Sequence, residues 1–370
     1  MGYSEDDRIV MTLDAGGTNF VFSAMQAEKE ILEPIRVSAK GKSLEEVLKN
    51  MIKGFREVKS QIDHDPVAIS FAFPGPADYE NGIIGDLQNL PLFRGGVALK
   101  AMLENEFSIP TFINNDGDLF TYGEAIAGLL PKINSLLEKK GFGKRYKNLL
   151  GVTFGTGFGG GIVCNGELFF GDNSAGGEIN RMRNFMHSQT SVEDSVSIRA
   201  IRRVYGMEAG ILPKEVPEPE KIFQIAKGNE EGHREAALKA FEQFAIVAAD
   251  AIADAITMID GLVVIGGGLS GAHEVFLDKL VAELNKDFTT LEGEPLSRLE
   301  INAFNLESPA GMEAFLRDTS INIKVPFSEK SVSYDPVKET GVGVSVLGTS
   351  QAVAIGAYNF ALDRLNSSDL

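Results

Sequence analysis

"TLDAGGTNFVFSAM" (Thr12–Met25) decides how this chain reads. A β-rich apolar run, Ile9–Leu13, leads straight into an acid, Asp14. Two glycines, Gly16 and Gly17, and then Thr18 follow before a second apolar run, Asn19–Gln26. A plain hairpin accounts for this, because Gly-Gly supplies the positive φ angles of a tight turn. The pattern also fits an anion site. Successive backbone N–H groups in a tight turn form a concave nest, and missing side chains let a phosphate approach. In that reading Thr18 adds a hydroxyl donor and Asp14 faces a metal ion. The rest of the chain chooses between the two.

A second stretch echoes the first. In "LLGVTFGTGFGGGIVCNGELFF" (Leu149–Phe170) a strand, Leu149–Thr153, enters a turn holding Gly155, Thr156, Gly157 and Gly159, and a second strand, Gly161–Val163, follows. Two such hairpins, one per half, suggest two related domains facing a shared cleft and gripping the phosphates of one nucleotide. Further strand-like runs are Val67–Phe73, Thr111–Ile113 and Leu262–Ile265. Leu44–Lys59 has helical spacing, with Ser43 and Glu46 as a capping box. Glu235–Asp260 is the longest helix candidate, and its apolar face reads as core packing. Hairpins mixed with crossover helices indicate an α/β protein with mixed sheets. We expect a smaller N-terminal α/β domain over 1–120, with a C-terminal helix at about 350–370 able to pack back on it. A larger domain is expected over 121–349, carrying an irregular insertion at about 285–340.

Composition narrows the function. The net charge of −17 over 370 residues, with no long Lys/Arg run, argues against a nucleic-acid-binding face. The single cysteine, Cys164, excludes an internal disulfide framework and fits a reducing compartment. The N-terminus lacks a signal-peptide pattern and no apolar run reaches membrane-spanning length, so the expectation is a cytoplasmic protein without membrane contact. No P-loop motif occurs. Gly155-Gly157-Gly160 and Gly266-Gly268-Gly271 match Gly-x-Gly-x-x-Gly, but a strand follows the first. The second precedes a helical pattern, His273–Leu284, with only an unremarkable Asp287 at the ribose distance, so neither reads as a Rossmann site.

"IPTFINNDGDLFTYGEAIAG" (Ile109–Gly128) places Asn114, Asn115 and Asp116 at the carboxyl end of a short strand, before a helix. Ligands in α/β sheets bind there. Asp116 is equally a common type of helix N-cap.

Six ordered stretches, "LDAGGTN", "LQNLP", "INNDGD", "GVTFGTGFGGGI", "SAGGEI" and "VVIGGGLSGA", resemble the ROK group of sugar kinases, within the actin, hexokinase and heat-shock-chaperone ATPase superfamily. The likeness spans nearly the whole chain outside 285–340. It implies a two-domain actin-like ATPase (ribonuclease H-like) fold with a cleft between domains. It also implies phosphorylation of a hexose or N-acetylhexosamine by ATP and Mg²⁺, of glucose, N-acetylglucosamine or N-acetylmannosamine type, at the 6-hydroxyl. By the resemblance Asp116 is the catalytic base and Asp14 lies near magnesium, through water. The hairpins Gly16–Thr18 and Gly155–Gly159 hold phosphates, and Gly266, Gly267 and Gly268 contact the adenosine. The sugar ligands become Gly75, Asn89, Asn115, Asp116, Glu178 and Glu193. Two departures stand out. Arg181 replaces the family's histidine, leaving open whether it contacts sugar or pairs with an acid elsewhere. The zinc cysteines are absent, with Ser191 at one of their places, so no zinc site is expected and the loop Asn180–Glu193 must be held by packing and hydrogen bonds. Some relatives are repressors, but the first strand begins at about Ile9 and the charge is wrong for DNA. A catalytically silent sugar sensor of the same fold is the alternative, and a homodimer is compatible with the family's habits.

Overall fold

In the computed structural model, which describes residues 2–16, 18–87 and 90–367, strand β1 (Val10–Ala15) alternates between two buried faces. Met11 and Leu13 join Phe20, Phe22, Ile69 and Phe71 in a core that also takes Val47, Met51, Phe55 and Val58 of the helix Leu44–Gln61. Val10 points the other way, into a cluster with Met25, Ala68, Ile355, Tyr358 and Leu362 of the C-terminal helix Thr349–Ser367. A period of two therefore puts Thr12 and Asp14 on the face of the C-terminal helix. The helix Leu44–Gln61 starts as expected at Ser43, whose hydroxyl accepts the Glu46 N–H at 3.3 Å. The return bond is shifted by one residue: Glu46 accepts the N–H of Lys42 at 2.7 Å.

Contacts divide the chain into two units, Met1–Gly128 with Gly161–Gly177 and Val346–Leu370, and Leu129–Gly160 with Glu178–Ser345. In the first, β1 pairs antiparallel with β2 (Asn19–Gln26), which carries β3 (Lys29–Glu30) and β4 (Ile35–Ser38). On its other side β1 runs parallel to β5 (Ala68–Ala72). The short strands β6 (Ala77–Asp78), β7 (Ile83–Ile84) and β8 (Val97–Ala98) form a small separate sheet. β9 (Thr111–Asn114) then pairs parallel with β5.

The second unit is built on β10 (Leu149–Phe154), which is followed by β11 (Phe158–Cys164). The end of β11 pairs with β12 (Glu167–Leu168), and these residues belong to the first unit. β13 (Leu262–Gly266) lies parallel to β10 and follows the helix Arg234–Ile259. That helix buries Phe241, Phe244, Ile252 and Ile256, and Phe244 meets Phe154 edge-on at 4.9 Å. Residues 285–340 are partly sheet. β14 (Asp287–Thr289) and β15 (Pro295–Ser297) form one hairpin, and β17 (Ile321–Lys324) and β18 (Ser331–Tyr334) another. Between the hairpins, β16 (Asn302–Asn305) pairs parallel with β19 (Glu339–Val344), and β19 with β13. Among the described residues no helix is long and apolar enough to cross a membrane.

Candidate functional site

Strand register lines up the acids of the first unit. Asp14 lies opposite Ala72, and Ala72 opposite Asn114, across three parallel strands. Asp116 follows two residues beyond Asn114, at the carboxyl end of the sheet, where loops open to ligands. A cavity of about 750 Å³ on this face is lined by Thr12, Asp14, Ser23, Arg36, Asp116, Thr349 and Ser350 among others. Asp116 is exposed to solvent at one side, yet the protein surrounding its carboxyl raises its pKa from the ordinary carboxylate value, and the charge of Asp14 raises it further. The Gly117 N–H, 2.9 Å from Oδ1, opposes that rise.

The N-cap reading of Asp116 is corrected here. The cap of helix Asp116–Ile126 is Asn115, whose Oδ1 accepts the Gly117 N–H at 2.8 Å. Asp116 is the first helical residue; its Oδ1 shares the Gly117 N–H with Asn115, and its Oδ2 takes no part in the cap. The Asn115 amide donates to the Tyr79 hydroxyl at 3.4 Å, and Tyr79 donates to the Phe73 carbonyl at 2.9 Å. The same hydroxyl would lie 3.1 Å from a Cβ on Gly75. Tyr79 thus joins the Gly75 turn to Asn115, a contact with no local signature. The turn after Asp14 returns into β2 through Gly16 and Thr18, and the Thr18 carbonyl accepts the Ala39 N–H at 3.0 Å. Gly17 and Asn89 lie outside the described residues.

In the second unit the glycine loops end adjacent parallel strands. Thr153 of β10 pairs with Gly266 of β13, so the Gly155–Gly157 turn and the Gly266–Gly268 turn are neighbours, while Gly159, expected in the turn, lies inside β11. Gly267 has φ +82°, and a Cβ there would meet the Phe154 carbonyl oxygen at 2.3 Å, so only glycine fits. Among the described residues, chain neighbours aside, no atom lies within 4 Å of where a side chain would begin at Gly155 or Gly268, which leaves backbone open to a ligand. Phe154 and Phe158 flank the first turn, with ring centroids 5.4 Å apart, and anchor it in the core. Glu193 reaches this turn. Its Oε2 accepts the Phe158 N–H at 3.2 Å, and its Oε1 pairs with Arg199 at 3.3 Å.

Glu178 and Arg181 are exposed at the short 3₁₀ turn Ile179–Arg181. Among the described residues no carboxylate lies within 4.0 Å of the Arg181 guanidinium. The loop that follows is tied by Asn184, which is wholly buried. Its Oδ1 accepts the N–H groups of Met186 (3.1 Å) and His187 (3.2 Å), and its amide donates to Ser195 Oγ at 2.8 Å. Arg183 and Ser191 form a β-bridge across the loop. A structural zinc does not fit here, since one cysteine is all the chain has and it lies at Cys164. Among the described residues no group of three or more His, Cys, Asp or Glu is placed to hold a metal. A magnesium ion held by one carboxylate, phosphates and water needs no such group. Asp14, whose charge bears on Asp116, is a carboxylate lining the same cavity.

The ROK family model matches residues 10–313. The chain belongs to the ROK family. The crystal structure of a glucokinase from Parabacteroides distasonis superposes with a TM-score of 0.89 at 51% identity, covering 98% of this chain and 99% of that one. A Thermotoga maritima glucokinase is 26% identical over 291 residues, 72% of this chain and 84% of its own length. An N-acetyl-D-glucosamine kinase of Vibrio cholerae is 26% identical over 281 residues, 71% and 85% respectively. The expected α/β fold of the actin-like ATPase class is the one found.

Proposed function

We propose that the protein transfers the γ-phosphoryl group of ATP to a hexose or N-acetylhexosamine, at the 6-hydroxyl. One observation supports this most. Asp116 stands at the carboxyl end of β9 and shares one cavity lining with Asp14, and its surroundings and the Asp14 charge raise its pKa from the ordinary carboxylate value. Phosphoryl transfer needs alignment and charge stabilisation more than covalent chemistry. Asp116 orients the sugar hydroxyl and accepts its proton late in the transfer. Asp14 would hold a magnesium ion through water, which would supply charge neutralisation for the phosphates. Backbone N–H groups of the Gly16–Thr18 and Gly155–Gly159 turns take the phosphate oxygens, and Gly266–Gly268 the adenosine. Asn89, Asn115, Glu178 and Glu193 bind ring hydroxyls, aided by Gly75. Arg181, with no carboxylate in reach among the described residues, is available to a sugar oxygen. Glucose, N-acetylglucosamine and N-acetylmannosamine are the acceptors to test.

The test is Asp116→Asn under saturating ATP and sugar. A general base contributes roughly 10²- to 10⁴-fold in rate, so turnover falls by at least about 100-fold while Mg-ADP affinity stays within about twofold. Turnover above half of wild type removes Asp116 from the chemistry. Sugar binding by the wild type without any ADP release leaves the silent sensor.

A further inference from the structure

The Glu193 carboxylate is held by two partners that a sugar ligand does not require. Oε2 accepts the Phe158 N–H and fills the space before Gly157, where a Cβ would lie 2.5 Å from it. Oε1 faces Arg199, the second residue of the helix Ile198–Ala209. The first N–H of that helix, from Ile198, donates to the Gly155 carbonyl at 2.9 Å. The glycine turn is thus braced at both ends, by the helix start at Gly155 and by Glu193 at Phe158. A cation in the first turn of a helix opposes the helix dipole, and this helix has no acid of its own there. Glu193 brings the missing negative charge from outside the helix.

We propose that Arg199 is a positioning residue that holds Glu193 on the glycine turn. One carboxylate then serves both the turn and the acceptor sugar, and the affinities for nucleotide and sugar depend on each other. This rests on Glu193 being a sugar ligand of a sugar kinase. A carboxylate has two oxygens and about four acceptor directions. Sugar hydroxyls therefore share oxygens with Phe158 and Arg199, and a change in the Phe158 bond alters how the turn presents its N–H groups to phosphate. Linkage makes the effect reciprocal.

The experiment is calorimetric titration of Mg-ADP into wild type, Arg199→Ala and Arg199→Lys, without sugar and with saturating glucose or N-acetylglucosamine. An exposed ion pair is worth up to about 1 kcal/mol, or about fivefold in affinity, which caps the effect. In wild type the sugar changes the Mg-ADP dissociation constant by about three- to fivefold. Arg199→Ala brings that ratio to about 1, and Arg199→Lys, which keeps the charge, retains most of it. Arg199→Ala with the full wild-type ratio overturns the proposal, and so does a wild type with none. Circular dichroism checks that the alanine variant folds, and the lysine variant carries the test if it does not. If neither sugar supports ADP release from ATP, the kinase reading itself fails. Sugar-free titrations then decide the positioning role: unchanged Mg-ADP affinity in Arg199→Ala overturns it, and a weakening of about two- to fivefold sustains it.

Discussion

Replacing Asn184 by alanine should unfasten the loop that presents Glu193. The wild-type side chain is fully buried and makes three good hydrogen bonds, to the Met186 and His187 N–H groups and to Ser195 Oγ. A net contribution of about 1 kcal/mol per bond gives about 3 kcal/mol. Two backbone donors left without a partner push the cost up, and water entering the space brings it down. The expected loss is therefore about 2–4 kcal/mol, read as a lower urea midpoint. Thr190→Ala is the control: its hydroxyl donates to the His187 carbonyl at 3.0 Å on the exposed side of the same loop. It should cost less than about 0.5 kcal/mol. Because Glu193 lies at the end of this loop, the sugar KM of Asn184→Ala should rise as well. An Asn184→Ala protein within about 0.5 kcal/mol of wild type refutes the account of Asn184 as the tie of the loop.

Two more outcomes follow from the acids. The raised Asp116 pKa means that the folded state binds a proton more tightly than the unfolded chain, so wild-type stability falls as pH rises from the unfolded carboxyl value of about 3.9 through the folded one. Asp116→Asn does not titrate there. Its melting temperature relative to wild type should climb with pH in scanning fluorimetry from pH 4 to 8, and a flat difference contradicts the shift. Asp14→Ala should need more magnesium for half-maximal turnover, and an unaltered magnesium titration removes Asp14 from the metal's surroundings.

Much of this architecture is written locally. The apolar run Ile9–Leu13 reads as a strand, though not which of its two buried faces meets which helix, and the glycine turns declare themselves because few residues tolerate that backbone. Contacts between distant segments are not written that way. Nothing in "SVED" shows that Glu193 reaches the Phe158 N–H, 35 residues away in the chain. Asn184 looks like any loop asparagine until its burial is seen. Asn115 and Asp116 are both good capping types, and only the backbone angles at the helix start decide that Asn115 caps. Strand β16 was hidden within irregular surroundings because a four-residue strand carries too few positions to show a period.

ADP release from Mg-ATP across glucose, N-acetylglucosamine, N-acetylmannosamine and their 6-deoxy forms, with a sugar-free control, tests the central claim most directly. The account predicts release with at least one parent sugar and none above the control with its 6-deoxy form, which lacks the hydroxyl proposed as the phosphoryl acceptor. Equal release with and without sugar, or with the 6-deoxy form, contradicts it.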